Sequence, residues 1–169
     1  MKTNNKLIIL KNKCTLRYEE FIFRCSIGKK GLTGKKTEGD NKTPKGLYAL
    51  GNLFYRQDRV NKPLTNLKCI SINSNMGWSN DEFDKKNYNK LVNLNKNVKS
   101  EKIFRKDYKY DYLIPILYNT KKRILGKGSA IFIHLTKNFN GTAGCIALNK
   151  KDFLILAKLI NKNTKIQIN

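Results

Sequence analysis

Residues 128–148 read Gly-Ser-Ala-Ile-Phe-Ile-His-Leu-Thr-Lys-Asn-Phe-Asn-Gly-Thr-Ala-Gly-Cys-Ile-Ala-Leu. Two apolar, β-rich runs, 130–135 and 145–148, flank a polar stretch holding Gly141 and Gly144, which predicts two strands joined by a turn-rich loop. Side chains alternate along a strand, so His134 shares a face with Phe132 and Ala130, and Cys145 shares one with Ala147. If the runs pair as the two arms of a hairpin, the chain's one imidazole reaches this thiol.

A Cys–His pair suits acyl transfer: the thiol attacks as the nucleophile, and the imidazole lowers its pKa or takes its proton. Gly144 leaves the backbone free to bring amide N–H groups toward a developing oxyanion. The residues alone leave a second reading open, in which Cys145 is a small buried core residue and His134 a hydrogen-bonded strand end.

C-terminal to this stretch the period changes. Phe153, Leu156, Ala157 and Ile160 fall on one face of a helix. Asn149 suits its N-cap, Asp152 its first turn, and the helix is expected to end near residues 161–163, before a closing strand at 165–168. N-terminal to it, strands are expected at 7–10, 21–27, 47–50 and 112–118, with Pro115 arguing for an edge or a bulge in the last. Residues 73–97 are polar, rich in Asn and contain Trp78; they read as a long surface excursion. The fold class is mainly β with few helices, as one domain over residues 1–169.

The 35 Lys and Arg against 12 Asp and Glu give a net charge of +23, which points toward nucleic acid. Basic residues are scattered or paired, as at Lys29-Lys30 and Lys35-Lys36, and no basic run of five to eight marks a nucleic-acid patch. No recognition-helix, zinc-finger or aromatic RNA-binding signature accompanies the charge, so a basic nucleic-acid-binding domain is the weaker reading. Cys14, Cys25, Cys69 and Cys145 form no C-x-x-C pair, and with one His they do not suggest a metal site; free thiols are expected. The apolar run at residues 7–10 is too short for the core of a signal peptide, and no run approaches the ~20 residues of a membrane span.

The segment 128–148 resembles the signature of the L,D-transpeptidase (YkuD-like) catalytic domain family: a strand-end His, a loop, then Ser/Thr-x-Gly-Cys and an apolar residue, here His134, Thr142, Gly144, Cys145 and Ile146. Upstream, Thr43, Pro44 and Gly46 match the family's Thr-Pro-x-Gly turn, and the stretches at 55–59 and 78–89 are similar to a short, single-domain bacterial branch. Two positions depart from the pattern: Ala143 stands where many members have His, and Ala147 where many have Arg or Asn.

The resemblance implies a β-sandwich with a C-terminal helix. It implies a cysteine L,D-transpeptidase with diaminopimelate-containing peptidoglycan stem peptides as donor and acceptor, no cofactor, no metal and no specific nucleic acid. An L,D-carboxypeptidase or amidase on the same fold is the alternative. Cys145 is then the nucleophile, His134 the proton donor and acceptor, oriented by a backbone carbonyl, and Gly144 and Thr142 belong to the oxyanion loop. Arg56 and Arg59 are candidate binders of substrate carboxylates, and Trp78 and Tyr88 candidate groove residues. The function implies a cell-envelope location, although the residues themselves carry no export signal and are compatible with the cytoplasm. Peptidoglycan is itself rich in carboxylates, so the charge of +23 also suits attraction to that surface.

Overall fold

The computed structural model describes residues 7–94 and 99–169. The segment 1–6, and residues 95–97 at the end of the expected excursion, lie outside them. The first half of the chain contributes β1 (Leu7–Asn12), β2 (Thr15–Tyr18), β3 (Phe21–Ser26), β4 (Leu32–Thr33), β5 (Thr43–Pro44), β6 (Gly46–Ala49), β7 (Leu53–Tyr55), β8 (Cys69–Ser71) and β9 (Met76–Ser79). The second half contributes β10 (Leu91–Asn93), β11 (Ser100–Lys102), β12 (Tyr112–Pro115), β13 (Phe132–Leu135), β14 (Ile146–Leu148), α1 (Lys150–Leu159) and β15 (Lys165–Ile168).

Ten strands join one sheet in the order β6-β15-β1-β2-β3-β14-β13-β12-β7-β8. The sheet curls around a core to which β1, β2, β3, β12, β13, β14, β15 and α1 all contribute. The mainly β expectation with a C-terminal helix holds. The helix forms as its sequence dictates: Asn149 Oδ1 accepts the Asp152 N–H at 2.9 Å, and Phe153, Leu156 and Ala157 are buried. It stops at Leu159, short of residues 161–163, because Ile160 turns extended and enters the core.

Three expectations are corrected. First, β13 and β14 do not form a hairpin. They run parallel, with Ile133 opposite Ile146, His134 opposite Ala147 and Leu135 opposite Leu148. The connecting loop travels the whole return leg itself, because Thr142 is held beside the end of β3. The Thr142 N–H donates to the Ile27 carbonyl at 2.8 Å, and the Lys29 N–H to the Thr142 carbonyl at 2.9 Å. The chain has therefore reversed before Cys145, and β14 sets off in the direction of β13.

Second, β12 lies inside the sheet, flanked by β13 and β7. Pro115 fits there because β7 pairs with Tyr112 and Leu113 and not beyond, so no β7 acceptor loses a donor at Pro115.

Third, the excursion is not a bare loop. β9 pairs with β10 and β11 in a three-stranded antiparallel sheet. Trp78, Tyr88 and Ile103 are buried by it, and Trp78 and Ile103 pack with Phe54, Leu113 and Phe132 in a second cluster. The central strands are thus covered on both faces. Ile131, Ile133 and Leu135 face the main core, while Ala130 and Phe132 face the cluster that also holds Cys145.

Candidate active site

His134 is the third residue of β13 and is buried. Its Nδ1 lies 2.9 Å from the Leu135 carbonyl, an acceptor that fixes the proton on Nδ1 and leaves Nε2 as the basic nitrogen of a neutral ring. Tyr110 meets the imidazole edge-on, with ring centroids 5.3 Å apart.

Cys145 precedes β14 and is held between two backbone groups of the neighbouring segment. Its Sγ accepts the Phe132 N–H at 3.3 Å and donates to the Ala130 carbonyl at 3.3 Å. The preceding Gly144 has φ +146°, and a Cβ there would sit 2.9 Å from the Lys42 carbonyl oxygen. Glycine is required on both counts. The Thr-Pro-x-Gly turn explains that close approach. Thr43, fully buried, donates from Oγ1 to the Gly144 carbonyl at 2.8 Å and accepts the Gly28 N–H at 2.9 Å. Thr142 closes the other side: its Oγ1 donates to the Cys145 carbonyl at 2.6 Å and accepts the Gly144 N–H at 3.1 Å. Both threonines therefore clamp the backbone that carries the thiol.

Cys145 and His134 line one cavity of about 470 Å³, together with Lys36, Glu101, Arg105 and Tyr110. Burial pushes the Cys145 thiol up to about 12; the Glu101 carboxylate adds to the rise, while the Phe132 N–H, Lys36 and Arg105 oppose it. Burial likewise pushes His134 down to about 4, against the pull of the Leu135 carbonyl. Burial also raises Glu101, opposed by its hydrogen bond from Tyr110 and by Arg105. At neutral pH the pair rests as thiol and neutral imidazole, not as an ion pair. Such a pair can deliver a nucleophile by handing the thiol proton to imidazole as the bond to carbon forms.

The other expected site residues lie elsewhere. Arg56 binds Asp58 through Nη2 at 2.6 Å and stacks over Phe104, 3.5 Å from its ring centroid. Arg59 donates to the Lys106 and Asp107 carbonyls at 2.8 and 2.7 Å and pairs with Asp111. Neither lines the cavity; both brace the segment 104–111 that carries Arg105 and Tyr110 into it. Trp78 donates to Asn89 Oδ1 at 2.9 Å and packs edge-on against Phe132. Tyr88 donates to Glu38 at 2.6 Å and accepts the Gly128 N–H at 3.1 Å. Neither lines the cavity, and the polar atoms of both are engaged within the protein. The cavity instead presents Lys36, Glu101, Arg105 and Tyr110, which sequence reasoning passed over. Lys36 read as half of a surface pair and Tyr110 had no pattern around it, so no local signal marked them.

A search of curated proteins finds no match. Among solved structures the fold is similar to the helical cell shape determining protein Pgp2 from Campylobacter jejuni, with TM-score 0.53, 18% identity, and coverage of 97% of this chain and 46% of that one. Bd1075 from Bdellovibrio bacteriovorus gives TM-score 0.49 at 18% identity, with 98% and 48% of the two chains covered. An L,D-transpeptidase from Mycobacterium smegmatis gives 0.42 at 10%, with 98% and 58% covered. The chain thus spans about half the length of these structures. The sequence pattern of the L,D-transpeptidase catalytic domain matches residues 2–168, and the chain belongs to that family.

Proposed function

We propose that the protein is a cysteine L,D-transpeptidase acting on peptidoglycan stem peptides in the cell envelope. The observation that carries this is the presence of Cys145 and His134 on the walls of one cavity, with the imidazole tautomer set by the Leu135 carbonyl. The family acts on peptidoglycan stem peptides.

In this reading Cys145 Sγ attacks the carbonyl between the diamino acid and the terminal D-alanine of a tetrapeptide stem. The thiol proton passes to His134 Nε2. The C–N bond then breaks, and D-alanine leaves with that proton on its amine, so that a thioester remains on Cys145. An incoming amine attacks the thioester, His134 takes its proton and returns it to the departing sulfur, and a new amide results. The resting protonation states support this order, because a neutral imidazole is ready to accept a proton and a neutral thiol carries one.

The test is incubation with purified tetrapeptide muropeptides, with mass analysis of protein and products. The protein is expected to gain the mass of an acyl group, and dimeric muropeptides are expected to accumulate. Cys145→Ala is expected to abolish both. An adduct that survives in Cys145→Ala removes the nucleophile assignment, and trimmed monomers without dimers make the protein an L,D-carboxypeptidase.

A further inference from the structure

Lys36 is a buried cation at the site with no role so far. Its side chain is 3% exposed and lines the same cavity as Cys145 and His134. Its methylenes lie over Gly128, where a Cβ would come within 2.7 Å of Lys36 Cγ; that glycine, at φ +94°, lets the side chain pass. The ammonium pairs with Asp40 and donates to the Thr37 carbonyl at 3.2 Å. It comes to rest 3.6 Å from the position a Cβ would take at Gly144, the residue before the nucleophile. An ammonium has three N–H donors, and these two acceptors use two of them.

One backbone donor beside this nucleophile is constrained. The Gly144 N–H is turned toward Thr142 Oγ1, which itself is anchored on the Cys145 carbonyl. Negative charge developing on a substrate carbonyl oxygen near Cys145 thus meets a backbone with one donor already taken. Glu101 adds to the difficulty, since its carboxylate faces the same cavity.

We propose that Lys36 is a catalytic residue whose third ammonium N–H stabilises the oxyanion formed when Cys145 attacks the acyl donor. This rests on the acyl-transfer reading above. As the S–C bond forms, the π pair of the carbonyl moves onto oxygen and the thiol proton moves to His134. Lys36 donates a hydrogen bond to that oxygen without giving up its proton. When the oxyanion collapses, the electron pair returns to the carbonyl, the C–N bond breaks and the hydrogen bond weakens. Asp40 holds the ammonium in place throughout; its Oδ1 also accepts the Lys42 N–H at 2.8 Å, so the cation is tied to the turn that approaches Gly144. A charged donor in a water-poor site favours the transition state more than the neutral ground state. The same charge favours the thiolate of Cys145, which is consistent with its position.

The experiment compares two reactions of Cys145 in the full chain: acylation by a carbapenem, which passes through an oxyanion, and alkylation by iodoacetamide, which does not. Both are followed by intact mass. The principal variant is Lys36→Met with Asp40→Asn, which removes the buried pair together and keeps an amide oxygen for the Lys42 N–H, while the Thr37 N–H gives up its Oδ2 acceptor. Asp40→Asn alone keeps the cation. The double variant is expected to slow acylation by about 100-fold or more while alkylation slows much less, and Asp40→Asn alone, which keeps the cation but loosens its hold, is expected to slow acylation by less than the double variant does. Equal slowing of the two reactions overturns the proposal and reduces Lys36 to a modulator of the thiol. With tetrapeptide stems, a raised KM at unchanged kcat also overturns it and makes Lys36 an anchor for a substrate carboxylate. If wild-type protein alkylates but is never acylated by carbapenem or stem peptide, the acyl-transfer reading fails, and this proposal with it. If wild-type is acylated and the double variant matches it, this proposal alone fails.

Discussion

The two faces of β13 carry different kinds of chemistry a few ångströms apart. Ile131, Ile133 and Leu135 point into a core of hydrocarbon against α1 and the curled sheet. Phe132 and His134 point the other way, beneath the β9–β11 layer, among Cys145, Tyr110, Glu101 and Arg105. Both faces are buried, but the strand presents only aliphatic side chains on the first, whereas on the second its imidazole shares a cavity with a buried thiol and a carboxylate. Burial on the first face stabilises the fold, by about 1.5–3 kcal/mol for each large side chain. Burial on the second shifts protonation states. One strand therefore lends rigidity from one side to reactive groups on the other.

The comparison breaks most visibly at His134. His134→Gln retains a side-chain amide beside Leu135 but removes the base. The acylation rate of Cys145 is expected to fall by about 10²- to 10⁴-fold, with the melting temperature preserved or raised, as read by stopped mass-spectrometric time points and calorimetry. On the opposite face, Leu156→Ala is expected to cost about 2–5 kcal/mol in denaturant unfolding, while the folded fraction acylates at the wild-type rate. A loss of acylation in that folded fraction would show that the faces are not separable.

Acid acts on the polar face. His134 is held near 4 by burial, against an ordinary value of 6.5. Between these values the unfolded chain binds more protons at this group than the folded chain does. The stability it contributes is therefore complete above about pH 6.5 and is lost as pH falls through about 4, on the order of 3 kcal/mol in all. Urea midpoints across this window should decline more steeply for the wild-type than for His134→Gln; parallel declines would mean that the imidazole is hydrated. The smallest effect is expected at the clamp. Thr43→Val strands the Gly28 N–H and the Gly144 carbonyl and is expected to cost about 1–3 kcal/mol, with slower acylation, because Gly144 is no longer held from behind. A Thr43→Val protein with unchanged unfolding would show that water replaces the hydroxyl.

Much of this was legible in the chain itself. The spacing of Phe153, Leu156 and Ala157 located α1, and the pairing of a strand-end His with a Thr-x-Gly-Cys turn located the imidazole and thiol that line one cavity. Local signals suffice there because helix period, caps and glycine turns act over a few residues. Strand direction was not legible. Two strands joined by a short loop suggest a hairpin, and the parallel alternative depends on Thr142 meeting Ile27 and Lys29, more than 100 residues away in sequence. The β9–β11 layer was also hidden, because its strands are short and mix polar and apolar residues on the inward side: Ser79 is buried and Glu101 lines the cavity, while Met76 and Trp78 reach the core cluster. Lys36 looked like any surface lysine, since nothing next to it in sequence reveals that Asp40 and Gly144 enclose it.

The loop between β13 and β14 is pinned at both ends. The Thr136 N–H donates to the Leu148 carbonyl at 2.7 Å, and Thr142 is fixed beside Ile27. Between these anchors Lys137, Asn138 and Asn140 are exposed, and Asn138 and Asn140 stand at the rim of the cavity. Loop closure becomes more costly only slowly with length, by about 0.6 kcal/mol per doubling. Residues can thus be added here without changing the spacing between thiol and imidazole, because that spacing is set by the strand register. The loop is a place where variation in chain length can reshape the mouth of the cavity while the thiol and the imidazole stay where they are.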